Sequence, residues 1–286
     1  MTRVKYLSKR MLEELDESIL MERDKAILRS LLSLRYLLTS QVRRLHFADN
    51  ANPTAGLRAA TRVMNKLQGY GLVVSLQRRI GGARAGSNSY CWTLTESGAR
   101  VLHMNDDNYT HRKRAHEPSL YFVRHTLEVA EVYIQLNEMS QRHQLELIKT
   151  ELEPECWRGH TGMDGKPATL KPDMFAVVDG GSYQDSFFIE VDLATESPVV
   201  VLDKSRRYAH YCRTGIEQKQ YEVFPLVVWL VYTTNRKTKL QQYIAECREI
   251  PATTKSIFTV IMPEEFESLI CGGVDALTQQ KGDKCA

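Results

Sequence analysis

The chain has 286 residues, 43% of them apolar and 26% charged, with a formal net charge of +3. That balance excludes a disordered polyelectrolyte, no apolar run approaches the roughly 18 residues of a membrane span, and no apolar core of a secretion signal follows Met1–Arg10. The expectation is a cytoplasmic protein of one large domain or two medium ones.

The six cysteines, at positions 91, 156, 212, 247, 271 and 285, form no CxxC pair, so neither a zinc ribbon nor a dithiol redox site is indicated. They read as reduced thiols, and Cys91, between Tyr90 and Trp92, reads as core. The net charge conceals an asymmetry. Residues 1–118 hold 20 Lys and Arg against 11 Asp and Glu, a surplus of 9 positive charges, whereas residues 119–286 hold 18 against 24, a surplus of 6 negative ones. A basic part followed by an acidic part predicts two domains with different partners. The basic one suits a polyanion, because neutralising phosphates releases counterions.

In chain order, Met11 to Met21 is amphipathic and suits packing on its own domain or on a second copy in a homodimer. Ile27, Leu28, Leu31, Leu32 and Leu34 form the apolar stripe of a helix. Thr39 or Ser40 suits the N-cap of a second helix with Val42, Leu45 and Phe47 inward, and Thr54 that of a third with Leu57, Ala60, Val63, Met64 and Leu67 buried. Gly69 or Gly71 ends it. Leu72–Leu76 and Tyr90–Leu94 read as strands flanking an Arg- and Gly-rich tip, and Thr95 opens another helix. Arg58, Arg62 and Lys66, spaced by four on the third helix, and Arg78, Arg79 and Arg84 on the tip are the candidate DNA-binding residues. The order helix, helix, helix, strand, basic tip, strand, helix resembles a winged helix-turn-helix. The stretch His111–Pro118 is a basic joint, readable either as a backbone contact or as a solvated linker.

Beyond the joint, helical spacing covers Leu120–Met139, with His125 and Glu128 on it, and strands are predicted at Leu145–Lys149, Leu170–Val178 and Ser186–Asp192. A loop spans Glu153–Thr169, and a turn Asp179–Ser182. Helices follow at Val199–Cys212 and Thr238–Arg248, and strands at Pro225–Tyr232 and Ile257–Ile261. His160 and His210 show no metal-binding spacing, and no Gly-rich phosphate loop is present. Strand alternation places Glu190 and Asp192 on one face, and Asp173 approaches that face across a hairpin. Such carboxylates suit Mg²⁺ or Mn²⁺.

Pro172-Asp173 followed by Glu190-Val191-Asp192, in an α-β-β-β-α-β order, resembles the PD-(D/E)XK nuclease-like superfamily. The resemblance implies catalytic Asp173, Glu190 and Asp192, a helix glutamate at Glu128, and a lysine. Asp192 occupies the usual lysine position; members of the superfamily can carry the lysine on the following helix, and the resemblance then implies Lys204. The expected architecture is two-domain α+β or α/β: a winged helix at 1–104, a basic linker at 105–118, a nuclease-like domain with a mixed central sheet at 119–272, and a tail at 273–286. Over residues 25–235 the chain resembles the replication-relaxation family of mobile-element proteins, through Leu38-Thr39-x-Gln41, Gly71-Leu72-Val73, Leu94-Thr95-x-x-Gly98, His125, Lys171-Pro172-Asp173, Phe188-x-Glu190-x-Asp192, Thr195-Glu196 and Lys204-x-x-x-Tyr208. That resemblance implies a DNA-binding accessory protein of a plasmid or integrative element. Its partners would be double-stranded DNA and relaxase or replication proteins of the same element, with no membrane. Three readings stay open: a binding protein with a nuclease-like second domain, a Mg²⁺- or Mn²⁺-dependent nicking endonuclease, and a transcriptional regulator.

Overall fold

The structure, a computed structural model, describes residues 7–50, 52–76, 90–104, 118–181, 184–194 and 197–282. The expected wing tip with Arg78, Arg79 and Arg84, most of the basic joint, and Thr195-Glu196 lie outside the described residues. The chain divides into two units, Met1–Ile134 and Gln135–Ala286. The division falls inside a helix, later than the expected 104/119 boundaries.

The first unit begins with α1 (Lys9–Glu14), which continues as one π-helical segment, Leu15–Ile19. It then runs through α2 (Glu22–Leu34), β1 (Tyr36–Leu38), α3 (Thr39–His46), α4 (Pro53–Gly69), β2 (Val73–Ser75), β3 (Cys91–Leu94), α5 (Glu96–Leu102) and the first part of α6 (Leu120–Gln141). Ile27, Leu28, Leu31 and Leu34 form the buried stripe of α2. The sheet has the order β1-β3-β2, antiparallel throughout.

Some expectations change here. Strand β1 was not expected, because three residues are too short to display an alternation. The cap of α4 is Asn52, not Thr54: its side chain accepts from the Ala55 amide at 2.8 Å, and Pro53 takes the first helical position. Thr39 opens α3 rather than capping it, since Gln41 reaches back to accept from the Leu38 amide at 3.0 Å. Ala60, Met64 and Leu67 are buried, but Leu57 is exposed.

Thr95 and Gly98 join the sheet to α5. The Thr95 hydroxyl accepts from the Gly98 amide at 3.1 Å and faces the carbonyl oxygens of Gly71 and Leu72 at 2.7 and 3.0 Å. Gly71 has φ +76°, the left-handed conformation that glycine adopts without cost. A Cβ on Gly98 would lie 2.2 Å from the Leu72 carbonyl oxygen and 2.7 Å from Leu94 Cδ1.

The second unit holds a mixed five-stranded sheet in the order β10-β9-β8-β7-β4. Strands β4 (Glu146–Leu152), β7 (Met174–Asp179) and β8 (Gln184–Asp192) are antiparallel neighbours, while β9 (Leu226–Val231) and β10 (Phe258–Ile261) run parallel to β8. Parallel pairing needs a crossover. The β8-to-β9 crossover contains α7 (Pro198–Arg213) and α8 (Ile216–Tyr221), and α9 (Thr234–Glu246) with α10 (Ala252–Lys255) links β9 to β10. Phe175, Phe188, Tyr208, Tyr211, Trp229, Leu240 and Ile244 belong to one core cluster. Strand β4 is an edge carrying Glu146, Lys149 and Glu151, charges that discourage edge pairing.

The expected loop 153–169 contains a hairpin, β5 (Arg158–Thr161) with β6 (Pro167–Leu170). The strand expected from Leu170 therefore begins only at Met174. The last helix, α11 (Phe266–Gly282), has non-helical φ/ψ at Gly273 and covers most of the expected 273–286 tail. No described helix is long and apolar enough to cross a membrane.

Gly98→Ala is expected to destabilise the first unit by about 3 kcal/mol, because backbone rather than a flexible side-chain tip blocks the methyl group. Chemical denaturation with an unchanged midpoint would contradict that packing.

Candidate functional site

The site grows from the register of β7 and β8. Met174 pairs with Ile189, so one further step brings Asp173 opposite Glu190. The pairing is pinned by Asp173 Oδ2, which accepts from the Val191 amide at 2.8 Å. Glu190 is 1% exposed, although it is a carboxylate in the central strand. Such a group must be met by donors. Lys204 and Tyr208 supply them from one face of α7, a turn apart. The Lys204 ammonium donates to Glu190 Oε2, and the Tyr208 hydroxyl donates to Oε1 at 2.5 Å. Lys204 thus reaches the acid although it stands on the helix and not two residues after the glutamate. Tyr208 was not singled out as a site residue, and its position four after Lys204 was the available signal.

Burial pushes the Glu190 carboxyl up from 4.5 to about 8, and the nearby Asp173 charge adds to the rise. The Lys204 ammonium and the Tyr208 hydroxyl pull it back without overcoming burial. The Tyr208 hydroxyl is itself raised, first by burial and then by Glu190. Cys156 stands close by: its thiol donates to the Pro172 carbonyl at 3.0 Å, and burial with the surrounding carboxylates pushes it up to about 12.

Asp192 behaves differently. It lies on the Glu190 face, as alternation requires, but two residues of strand separate the two by about 6.6 Å. Asp192 Oδ2 accepts from Arg236 Nε at 2.6 Å, and Oδ1 accepts from the Ala194 amide at 2.8 Å. Arg236 comes from α9, and no local sequence signal marks it. Asp192 and Glu190, expected to share one Mg²⁺ or Mn²⁺ with Asp173, thus each meet a cation of the protein's own, Arg236 and Lys204. As placed here, the three carboxylates do not converge on one point. Both oxygens of Glu190 accept from protein donors, and among the described residues no group of three or more His, Cys, Asp or Glu is disposed to hold a metal ion. Glu128 lies on α6 in the first unit, whereas the carboxylates above belong to the second.

Beside the carboxylates on the same sheet face, Arg158 bridges Glu151 at 2.7 Å and Glu217 at 2.9 Å and stacks 4.7 Å from the centre of the Phe175 ring. The His160 and His210 rings stand 5.8 Å apart, and His210 Nε2 lies 2.9 Å from the Thr161 carbonyl. These histidines tie the β5–β6 hairpin to α7. His125 is on α6 against Tyr121, in the first unit.

In the first unit, Arg58 and Arg62 are exposed on α4, with Asn65 beside them. Lys66 is not part of that face. Its ammonium lies 2.6 Å from Asp24, a buried carboxylate on α2. The reason is geometric: at about 100° per residue, eight positions rotate Lys66 roughly 80° away from Arg58, while Asn65 returns to within about 20°.

Burial makes Glu190 bind a proton more readily in the folded chain than in the unfolded one, so its contribution to stability is present below its ordinary range and is lost as pH rises toward 8. Thermal melts between about pH 5 and pH 8 should therefore show a decline that Glu190→Gln flattens. Equal slopes for the two proteins would refute the raised carboxyl.

The model of a family described as Replication-relaxation matches residues 28–227. No curated protein matches the chain. Among solved structures the chain is similar to the restriction endonuclease FokI bound to DNA, at 12% identity and a TM-score of 0.22, over 94% of this chain and 64% of that one. The chain thus spans under two thirds of that structure's length, and a score so low carries no argument about fold.

Proposed function

The chain belongs to the replication-relaxation family, and on that premise we propose that it is a DNA-binding accessory protein of a plasmid or integrative mobile element. In this reading α2, α3, α4 and the three-stranded sheet act as a winged helix, and α4 is the helix that enters the major groove. One observation carries the proposal: α4 buries Ala60, Met64 and Leu67 while it exposes Arg58 and Arg62 on another side. A helix anchored on one face and cationic on the other suits phosphates and base edges. Double-stranded DNA is the partner, and Arg78, Arg79 and Arg84 are proposed to extend the contact from the wing. Relaxase or replication proteins of the same element are the proposed protein partners.

The second unit is proposed to be nuclease-like in the PD-(D/E)XK sense, built around Asp173, Glu190 and Lys204. Its residues hold rather than cut: Lys204 and Tyr208 close over Glu190, and Arg236 takes Asp192. A second reading, metal-dependent nicking, is favoured by one specific observation, the Lys204 ammonium at Glu190.

Arg58→Ala with Arg62→Ala is expected to weaken duplex binding at least tenfold and to lower the slope of log affinity against log salt by about 2. Lys66→Ala should instead lower thermal stability and leave that slope alone, because its charge is spent on Asp24. A slope unmoved by the double arginine variant would remove α4 from the DNA face. For the second unit, supercoiled DNA with Mg²⁺ or Mn²⁺ should keep its topology with wild type and with Asp173→Ala alike. Nicking by wild type that Asp173→Ala abolishes would establish the second reading instead.

A further inference from the structure

One tryptophan of the second unit, Trp157, stands at the surface, where its ring meets the Lys171 ammonium. The chain has three tryptophans. Trp92 and Trp229 are 1% and 2% exposed, whereas Trp157 is 36% exposed. Its neighbours in sequence are both anchored. Cys156 is buried and donates to the Pro172 carbonyl at 3.0 Å, and Arg158 is held by Glu151 and Glu217. The indole is therefore presented by a rigid turn, and the Trp157 amide donates to the Pro154 carbonyl at 3.1 Å. Lys171, exposed and two residues before Asp173, places its ammonium 4.3 Å from the indole centroid. The Cys156–Pro172 hydrogen bond fastens these two segments together, so the aromatic and the cation stand where the chain enters the Asp173–Glu190 site.

We infer that Trp157 and Lys171 form a contact for single-stranded DNA beside the carboxylate site, an unpaired base stacking on the indole face opposite Lys171 and the ammonium meeting an adjacent phosphate. The inference rests on the DNA-binding reading and adds a substrate class to it. Stacking on an aromatic side chain is tolerant of sequence and requires an unstacked base, which an intact duplex does not offer. A rigid indole loses little entropy on stacking, and a neighbouring lysine supplies the charge that phosphate requires.

The test uses the full chain and a short oligothymidylate, followed by tryptophan fluorescence. Saturable quenching is expected, and Trp157→Phe should remove most of it, because the other two tryptophans are buried. Trp157→Ala should weaken single-strand binding about tenfold, Trp157→Phe should retain it, and Lys171→Ala should reduce the salt slope by about 0.7. Duplex affinity should be unchanged in all three, with Arg58→Ala/Arg62→Ala measured alongside. Quenching that survives Trp157→Phe, or equal loss of single-strand and duplex binding in Trp157→Ala, would overturn the inference and leave the α4 reading intact. Duplex affinity that ignores the arginine pair, with Trp157 quenching present, would overturn the α4 reading and leave this one. Absence of binding to either DNA would overturn both.

Discussion

Glu190 is a carboxylate in the central strand of a sheet, and taking it out of water sets the terms for the elements around it. An ion so enclosed costs several kcal/mol unless a cation and hydrogen-bond donors meet it. The topology provides them. Strands β8 and β9 are parallel, so the chain must cross over between them, and the crossover helix α7 lies against the strand that carries Glu190. Lys204 and Tyr208, one turn apart on that helix, each engage a different oxygen. The same helix packs Val201 and Tyr208 into the core that Phe175 and Phe188 line, so the apolar and polar sides of the contact fix one register. A helix rotated by one residue would lose both.

The first unit solves a smaller version of the same problem. Asp24 is buried at the start of α2, where its carboxylate accepts from the Met21 amide at 3.0 Å and faces the Lys66 ammonium. Gln41 is likewise bifunctional: its oxygen accepts from the Leu38 amide, and its nitrogen donates to the Leu127 carbonyl at 3.0 Å. Thr95 serves both the turn at Gly71 and the start of α5. Each of these polar residues joins two elements, which is why the motif letters Gln41, Gly71, Thr95 and Gly98 cluster on contacts rather than on the outward face. What they leave outward on α4 is Arg58, Arg62 and Asn65.

Much of this was legible in the sequence where a period was long enough to be read. The stripe from Ile27 to Leu34 declared α2, and the run Val227 to Val231, apolar at every step, declared a strand covered on both faces. The approach of Asp173 to Glu190 followed from alternation and a hairpin, while the lysine on α7 was implied only by the nuclease-like resemblance. Other features had no local signal. Strand β1 is three residues long, and β5–β6 alternates too little apolar surface to show a period. Lys66 was assigned to the wrong face because a spacing of four drifts on a helix of 3.6 residues per turn. The pairing of Asp192 with Arg236 left no signal either, because the two are 44 residues apart and stand on different elements. Long-range pairing of this kind is decided by packing and leaves no trace in spacing.

The opposite charges of the two parts take on a different meaning once the pairs are known. The acidic surplus of residues 119–286 does not gather as free carboxylate at the sheet face. Glu190 is met by Lys204, Asp192 by Arg236, Glu151 and Glu217 by Arg158, and Glu265 by Lys237. A pair so close is nearly neutral beyond the Debye length of about 8 Å, so the carboxylates that have a cation of their own add little to the long-range field. In the first unit Lys66 likewise meets Asp24 and Arg44 meets Glu131, so these cations are engaged within the fold. The cations left to act on a partner are the exposed ones, and on α4 these are Arg58 and Arg62. Pairing leaves each part's net charge unchanged, because both members of a pair are already in the count, but it decides which charges stay exposed. The quantity that matters is which charges remain after the fold has used the rest to bury its own polar groups.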